Sequence, residues 1–263
     1  MHKETLLDVF KHDIDTLVAP KTLTHYVTPS LYVSSLYFLK FNVSYASMIG
    51  FLVICLVALF VRNKRFVKFG VREATEAYGL FLLTQLAVVY SLADRGQVEK
   101  CLFTMILWNI CSPLIHWASH TETYKQGFDS VGMQSFHDQI HHSSSHSRKP
   151  KNVAMEGLVN VIGMSWMCVP MWRFLHPWTC LYLSLVYATV HLINQRIFES
   201  AAHAQHHADK FTNYGPDYMD VLYNTKGDAA PEPLTNGVPN LILLGIFVQG
   251  MKHAFRGTER ANK

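Results

Sequence analysis

Five apolar runs, residues 45–61, 77–93, 101–116, 157–172 and 178–193, govern what this 263-residue chain can fold into. Each lies at or below the lower end of the roughly 17–25 residues that a spanning helix needs. Two all-α architectures are therefore open: a polytopic transmembrane bundle whose helices recruit flanking polar residues, or the buried helices of a soluble bundle. Charge placement favours the first. Arg62, Lys64, Arg65, Lys68 and Arg72 follow the first run directly, which marks that end as cytosolic under the positive-inside rule. Counting onward, the second run crosses to the far side and the third returns with His116 at its cytosolic end. Residues 157–193 then form a hairpin that turns at Arg173–Pro177 and brings His191 back to the same side. The interior of the bilayer is left almost free of ionisable groups, as their cost there demands. Residues 28–44 (Tyr32, Tyr37, Phe38, Phe41) either span or lie in the interface. Residues 238–250 are too short to span and are expected to pack as an interfacial or cap helix. Residues 1–44 thus read as an N-terminal segment, and 45–263 as a single membrane-embedded domain.

Composition removes several function classes. The net charge is +4, but only 16% of residues are charged and the basic ones are scattered, so nucleic acid is not an expected partner. Cys55, Cys101, Cys111, Cys168 and Cys180 sit inside apolar runs without regular spacing, as small core residues do. No Pro/Gly/Ser-rich linker or internal repeat divides the chain. The polar N-terminus (Lys3, Glu4, Asp8, Lys11) gives no sign of a cleavable signal peptide.

Histidine carries the chemical signal. The chain has 15, and most of them cluster: His116 and His120; His137, His141 and His142; His191; His203, His206 and His207. Imidazole is a neutral ligand suited to Fe, Zn, Cu and Ni, and rings four residues apart share one face of a helix. Without a metal, such clusters repel as cations or bury polar nitrogens at a cost. Adjacent rings such as His141 and His142 diverge by about 100° on a helix. One pair therefore serves either two metals or one metal and the support of a ligand. By the residue count above, every cluster emerges on one membrane face. His2, His12, His25, His176 and His253 are isolated and read as solvated or hydrogen-bonded residues.

The segments His116-Trp-Ala-Ser-His120, His137-Asp-Gln-Ile-His141-His142 and His203-Ala-Gln-His206-His207 resemble, in order, the three histidine boxes of the fatty acid hydroxylase and sterol desaturase superfamily. Phe136 through Ser144 is similar to that family's second box with its Ser-rich exit. The stretch from His206 through Asn213-Tyr214-Gly215 to Thr225 is similar to its closing segment. The similarity covers about residues 75–225. It implies a transmembrane bundle under a cytosolic helical cap that carries a binuclear, histidine-rich metal site. The implied cofactors are two iron ions, with zinc as a possible substitute, and O2 is the co-substrate. The implied ligands are His116, His120, His137, His141, His142, His203, His206 and His207, with His191 added where relatives place a further histidine. His146 ranks behind it. Asp138, Glu199 and Asp209 are candidates to orient the rings, Asp209 reading more readily as a surface charge.

The activity so implied is O2-dependent hydroxylation or desaturation of an unactivated C–H bond in a lipid, whether sterol, fatty acyl, sphingoid or terpenoid. The outcome depends on where the substrate carbons sit. No His-Pro-Gly-Gly haem motif occurs, so electrons are expected from an external donor such as cytochrome b5 and its reductase. The endoplasmic reticulum membrane is the expected location in a eukaryotic host. The alternative is a histidine-rich membrane metal transporter or metal sensor, which calls for ligands and acids near the midplane. A zinc protease motif is ruled out, because Trp117 stands where that motif needs Glu.

Overall fold

The computed structural model describes residues 43–62, 78–130, 150–166, 168–196, 198, 200–223, 225–227 and 234–261, and among them there is no strand. Among the described residues, six long helices form the bundle: α1 (Tyr45–Arg62), α2 (Leu80–Leu92), α3 (Val98–Ser119), α5 (Pro150–Trp166), α6 (Pro177–Arg196) and α9 (Val238–Ala261). Three short ones, α4 (Glu122–Ser130), α7 (Ala201–Ala208) and α8 (Asp217–Tyr223), follow the ends of α3 and α6. Helix α6 is central, packing on α3, α5 and α9, while α3 also bridges α1 and α2.

Side-chain contacts sort the helix ends. At one end, Tyr45 donates to the Phe174 carbonyl, Lys100 to that of Arg173, and Trp178 meets Phe255. At the other, Gly237 packs near Phe81 and Val190, and His116 meets Tyr214. All of the clustered histidines that are described, His116, His120, His191, His203, His206 and His207, lie towards this second end. Residues 63–77 and all but the last two of 28–44 fall outside the described residues, as do His137, His141, His142 and His146.

Four of the five apolar runs coincide closely with helices. The fourth is displaced: helix α5 begins at Pro150 and ends at Trp166, and the turn that follows runs through the 3-10 segment Val169–Met171. Proline explains both limits, since its fixed φ suits a first turn and its missing N–H ends a continuing one. The expectation for 238–250 is corrected. Helix α9 has 24 residues and runs the length of the bundle beside α2, from the Phe81 level to Asp94. Lys252 lies two residues beyond that apolar stretch, yet it is 2% exposed. Its ammonium donates to the Leu92 carbonyl and pairs with Asp94 at 2.7 Å, and Arg256 engages the same carboxylate. A buried lysine so compensated leaves the helix intact.

Burial alone would raise the Asp94 carboxyl, but Lys252 and Arg256 outweigh it and hold the group below its usual range. Its contribution to stability is therefore present above the ordinary carboxylate value and lost as the pH falls through the lower folded value, that is, below about pH 4. We expect Asp94→Asn to cost about 3 kcal/mol at neutral pH, because it strands Lys252. Thermal melts of wild type and variant should converge as the pH drops below 4. Equal melting temperatures at pH 7 would contradict the clamp.

Two helices, Val98–Ser119 and Val238–Gly257, are long and apolar enough to cross a bilayer. Large apolar side chains face outward along α1, α2, α5 and α9; Ile54, Leu83, Leu243 and Ile246 are each at least 65% exposed. An apolar surface of that extent marks a membrane or protein contact.

Candidate metal centre

Helix α3 is built to deliver two rings and to receive a loop. Pro113 has no N–H to give the Asn109 carbonyl, and the Ser112 hydroxyl donates there at 3.4 Å. One turn later come His116 and His120, both buried, with ring centroids 5.4 Å apart. Gly215 lies against the proline ring: a Cβ there would meet Pro113 Cγ at 2.9 Å. This close approach lays the 212–226 loop on α3 and puts the Tyr214 carbonyl on His116 Nδ1.

That loop is held by one buried carboxylate. Asp220 is 0% exposed and accepts from the Tyr214 N–H at 2.9 Å, the Gly215 N–H at 3.2 Å and the Thr225 hydroxyl at 2.7 Å. Asn213 takes a left-handed conformation, φ 54°, that asparagine tolerates. Its amide donates to the Ala202 carbonyl at 3.0 Å, which ties the loop to α7.

Ser200 caps α7, its hydroxyl accepting from the His203 N–H. The spacing then separates the three histidines of this helix. His206, 0% exposed, turns towards α3, whereas His203 and His207, four apart, share another face with ring nitrogens 2.9 Å apart.

The ligand nitrogens of His116, His120 and His206 all lie within 4.8 Å of one another. His120 Nε2 and His206 Nε2 are 3.2 Å apart, and the His116 and His206 centroids 4.6 Å. Two of these rings are fixed in tautomer. His116 Nδ1 donates to the Tyr214 carbonyl and His206 Nδ1 to the Thr212 carbonyl at 2.6 Å, so each presents an Nε2 lone pair. A ring N–H given to a carbonyl is how metal-bound histidines are oriented. Burial, more than any other influence, pushes His206 down to about 4, so its ring is neutral at pH 7. The donor set thus fits a cation of the imidazole-binding class.

A second histidine group adjoins the first. His191 lies 4.7 Å from His203 by centroid, 6.1 Å from His116, and stacks on Tyr187 at 8°. Its Nε2 is 3.8 Å from the carboxylate of Glu156, which is 2% exposed on α5. Glu156 stands where Asp138, Glu199 and Asp209 were expected to serve. Asp138 and Glu199 lie outside the described residues, and Asp209 is exposed and accepts from the Phe211 N–H at 3.0 Å. Sequence reasoning missed Glu156, and the signal that could have found it is a lone acid between Met155 and the apolar run that starts at residue 157. His176 is buried at the opposite end beside Thr179, and His253 is exposed.

A cavity of about 90 Å³ opens beside the histidines, walled by Phe81, Gln85, Asn109, His116, His191 and Tyr218 among others. Searches against known protein families, characterised proteins and solved structures match nothing.

Proposed function

We propose that this chain is a membrane oxidoreductase in which a histidine-ligated di-iron centre directs O2-dependent hydroxylation or desaturation of an unactivated C–H bond in a lipid. The observation that carries this reading is the convergence of His116, His120 and His206 from two helices, with two of the rings locked to main-chain carbonyls. We assign the second cation to His191, His203 and His207, whose rings adjoin the first group, together with His137, His141 and His142, which the resemblance to the histidine boxes adds. When bound, the iron pair supplies the activation of O2 that C–H cleavage requires. The protein's part is to hold neutral imidazoles in fixed tautomers and to keep the reacting carbon in a dry cavity beside them. The apolar belt on α1, α2, α5 and α9 supports association with a membrane, which in a eukaryotic host we take to be that of the endoplasmic reticulum, crossed several times. A lipid then enters sideways, and a separate donor such as cytochrome b5 delivers electrons.

Metal analysis of the detergent-purified protein by mass spectrometry tests the proposal, followed by anaerobic iron loading and lipid product analysis in air. About two irons per chain, with product formed only in O2, are expected. A full complement of zinc without turnover after iron loading would favour a metal transporter or sensor. No stoichiometric metal would end the redox assignment.

A further inference from the structure

The buried stripe of α2 is Phe81, Gln85, Val89 and Leu92, and Gln85 is its polar member at 2% exposure. A carboxamide in a core stripe costs free energy unless its groups are engaged. Its oxygen is engaged by a relay. Tyr218 of α8 donates its hydroxyl to Asn109 Oδ1 at 2.9 Å; Asn109 Nδ2 donates to Gln85 Oε1 at 3.3 Å and to the Met105 carbonyl at 2.9 Å. The relay ends on the Gln85 amide nitrogen, which takes no protein partner among the described residues. Gln85, Asn109 and Tyr218 all wall the cavity that reaches His116 and His191. No carboxylate, ammonium or guanidinium lines it among the described residues.

We infer that Gln85, Asn109 and Tyr218 form a subsite that accepts a neutral oxygen of the lipid, a hydroxyl or carbonyl, and so determines which lipid is taken and which carbon faces the histidines. This rests on the proposed lipid oxidation. The Gln85 N–H is a donor oriented from behind by two hydrogen bonds, so it calls for an acceptor. An ionised carboxylate is disfavoured at this end, because no cationic side chain beside Gln85, Asn109 and Tyr218 lines the cavity to offset its desolvation. Asn109 and His116 are seven residues apart on one face of α3, which separates the anchor from the metal ligands by roughly 10 Å along the axis. The lipid therefore enters oxygen-end first, and the carbon oxidised lies about that distance from its oxygen.

The test uses full-length protein in lipid nanodiscs and two matched pairs: cholesterol with its 3-deoxy analogue, and 1-hexadecanol with hexadecane, with palmitate as the ionised probe. Lipid retained per chain is measured by mass spectrometry, beside metal content. Wild type should retain the oxygenated member of at least one pair about tenfold over its partner, as one oriented hydrogen bond allows. Palmitate should be held no better than hexadecane. Gln85→Met should bring the ratio near one with metal content unchanged. Tyr218→Phe, the milder change should the first fail to fold, should lower it in part. Ratios near one for both pairs in wild type, or a ratio untouched by both variants, would overturn the inference. A relay that only joined helices would lower the melting temperature and leave the ratio alone. Oxygen preference in protein that binds no metal would instead sink the di-iron reading and leave the subsite standing.

Discussion

His206→Ala should lower metal affinity by at least about 100-fold and remove the proposed lipid oxidation, and it should also lower the melting temperature of the metal-free protein. A lost second-sphere partner alone costs 10–100-fold in affinity, and His206 is one of the three rings whose nitrogens converge closely enough to hold an ion. The stability half of the expectation follows from burial. His206 is 0% exposed, its Nδ1 donates to the Thr212 carbonyl at 2.6 Å, and its Nε2 lies 3.2 Å from that of His120, where it accepts that ring's N–H when no cation is bound. Removing the ring leaves a cavity and strands the Thr212 carbonyl and the His120 ring nitrogen. Metal added to wild type should raise its melting temperature by linkage, and added to His206→Ala should do little. Calorimetry with and without metal reads both halves. A variant that keeps its metal-dependent rise would remove His206 from the centre.

Asp220→Ala is the second large effect, and it acts without touching a ligand. The substitution strands the buried Tyr214 and Gly215 N–H groups and the Thr225 hydroxyl, each worth about 1–3 kcal/mol when left unsatisfied. A loss of at least about 3 kcal/mol is expected. The Tyr214 carbonyl then leaves His116 Nδ1, so metal affinity should fall by about tenfold even in the molecules that remain folded. Asp220→Asn keeps one acceptor and should lie between. Denaturant unfolding and competitive chelator titration separate the two effects. Unchanged metal affinity in folded Asp220→Ala would show that the carbonyl does not orient the ring.

Much of this arrangement was legible in the sequence, because helical periodicity is local. The spacing of His116 and His120 fixes a shared face, as does that of His203 and His207. The alternation of apolar runs brings each described cluster to one end. What periodicity does not encode is which face meets which. His206 leaves its neighbour His207 and joins His120, 86 residues away, since burial against α3 is decided by the loop at Gly215 and Asn213. Lys252 hid the length of α9 because its compensation by Asp94 is a tertiary fact 158 positions distant in sequence. Glu156 was passed over for the converse reason: it stands one residue before the apolar run at 157, although its side chain is buried against His191.

The Asp220 loop also sets when the centre can exist during synthesis. His116 and His120 leave the ribosome on α3 long before the chain reaches Tyr214, 98 residues after His116, and two rings of unfixed tautomer are a poor trap for a cation. Only once residue 226 has emerged can the carboxylate gather the loop, close it on Pro113 and lock the imidazoles. A nascent or prematurely ended chain therefore lacks the locked pair of imidazoles until the whole loop is in place.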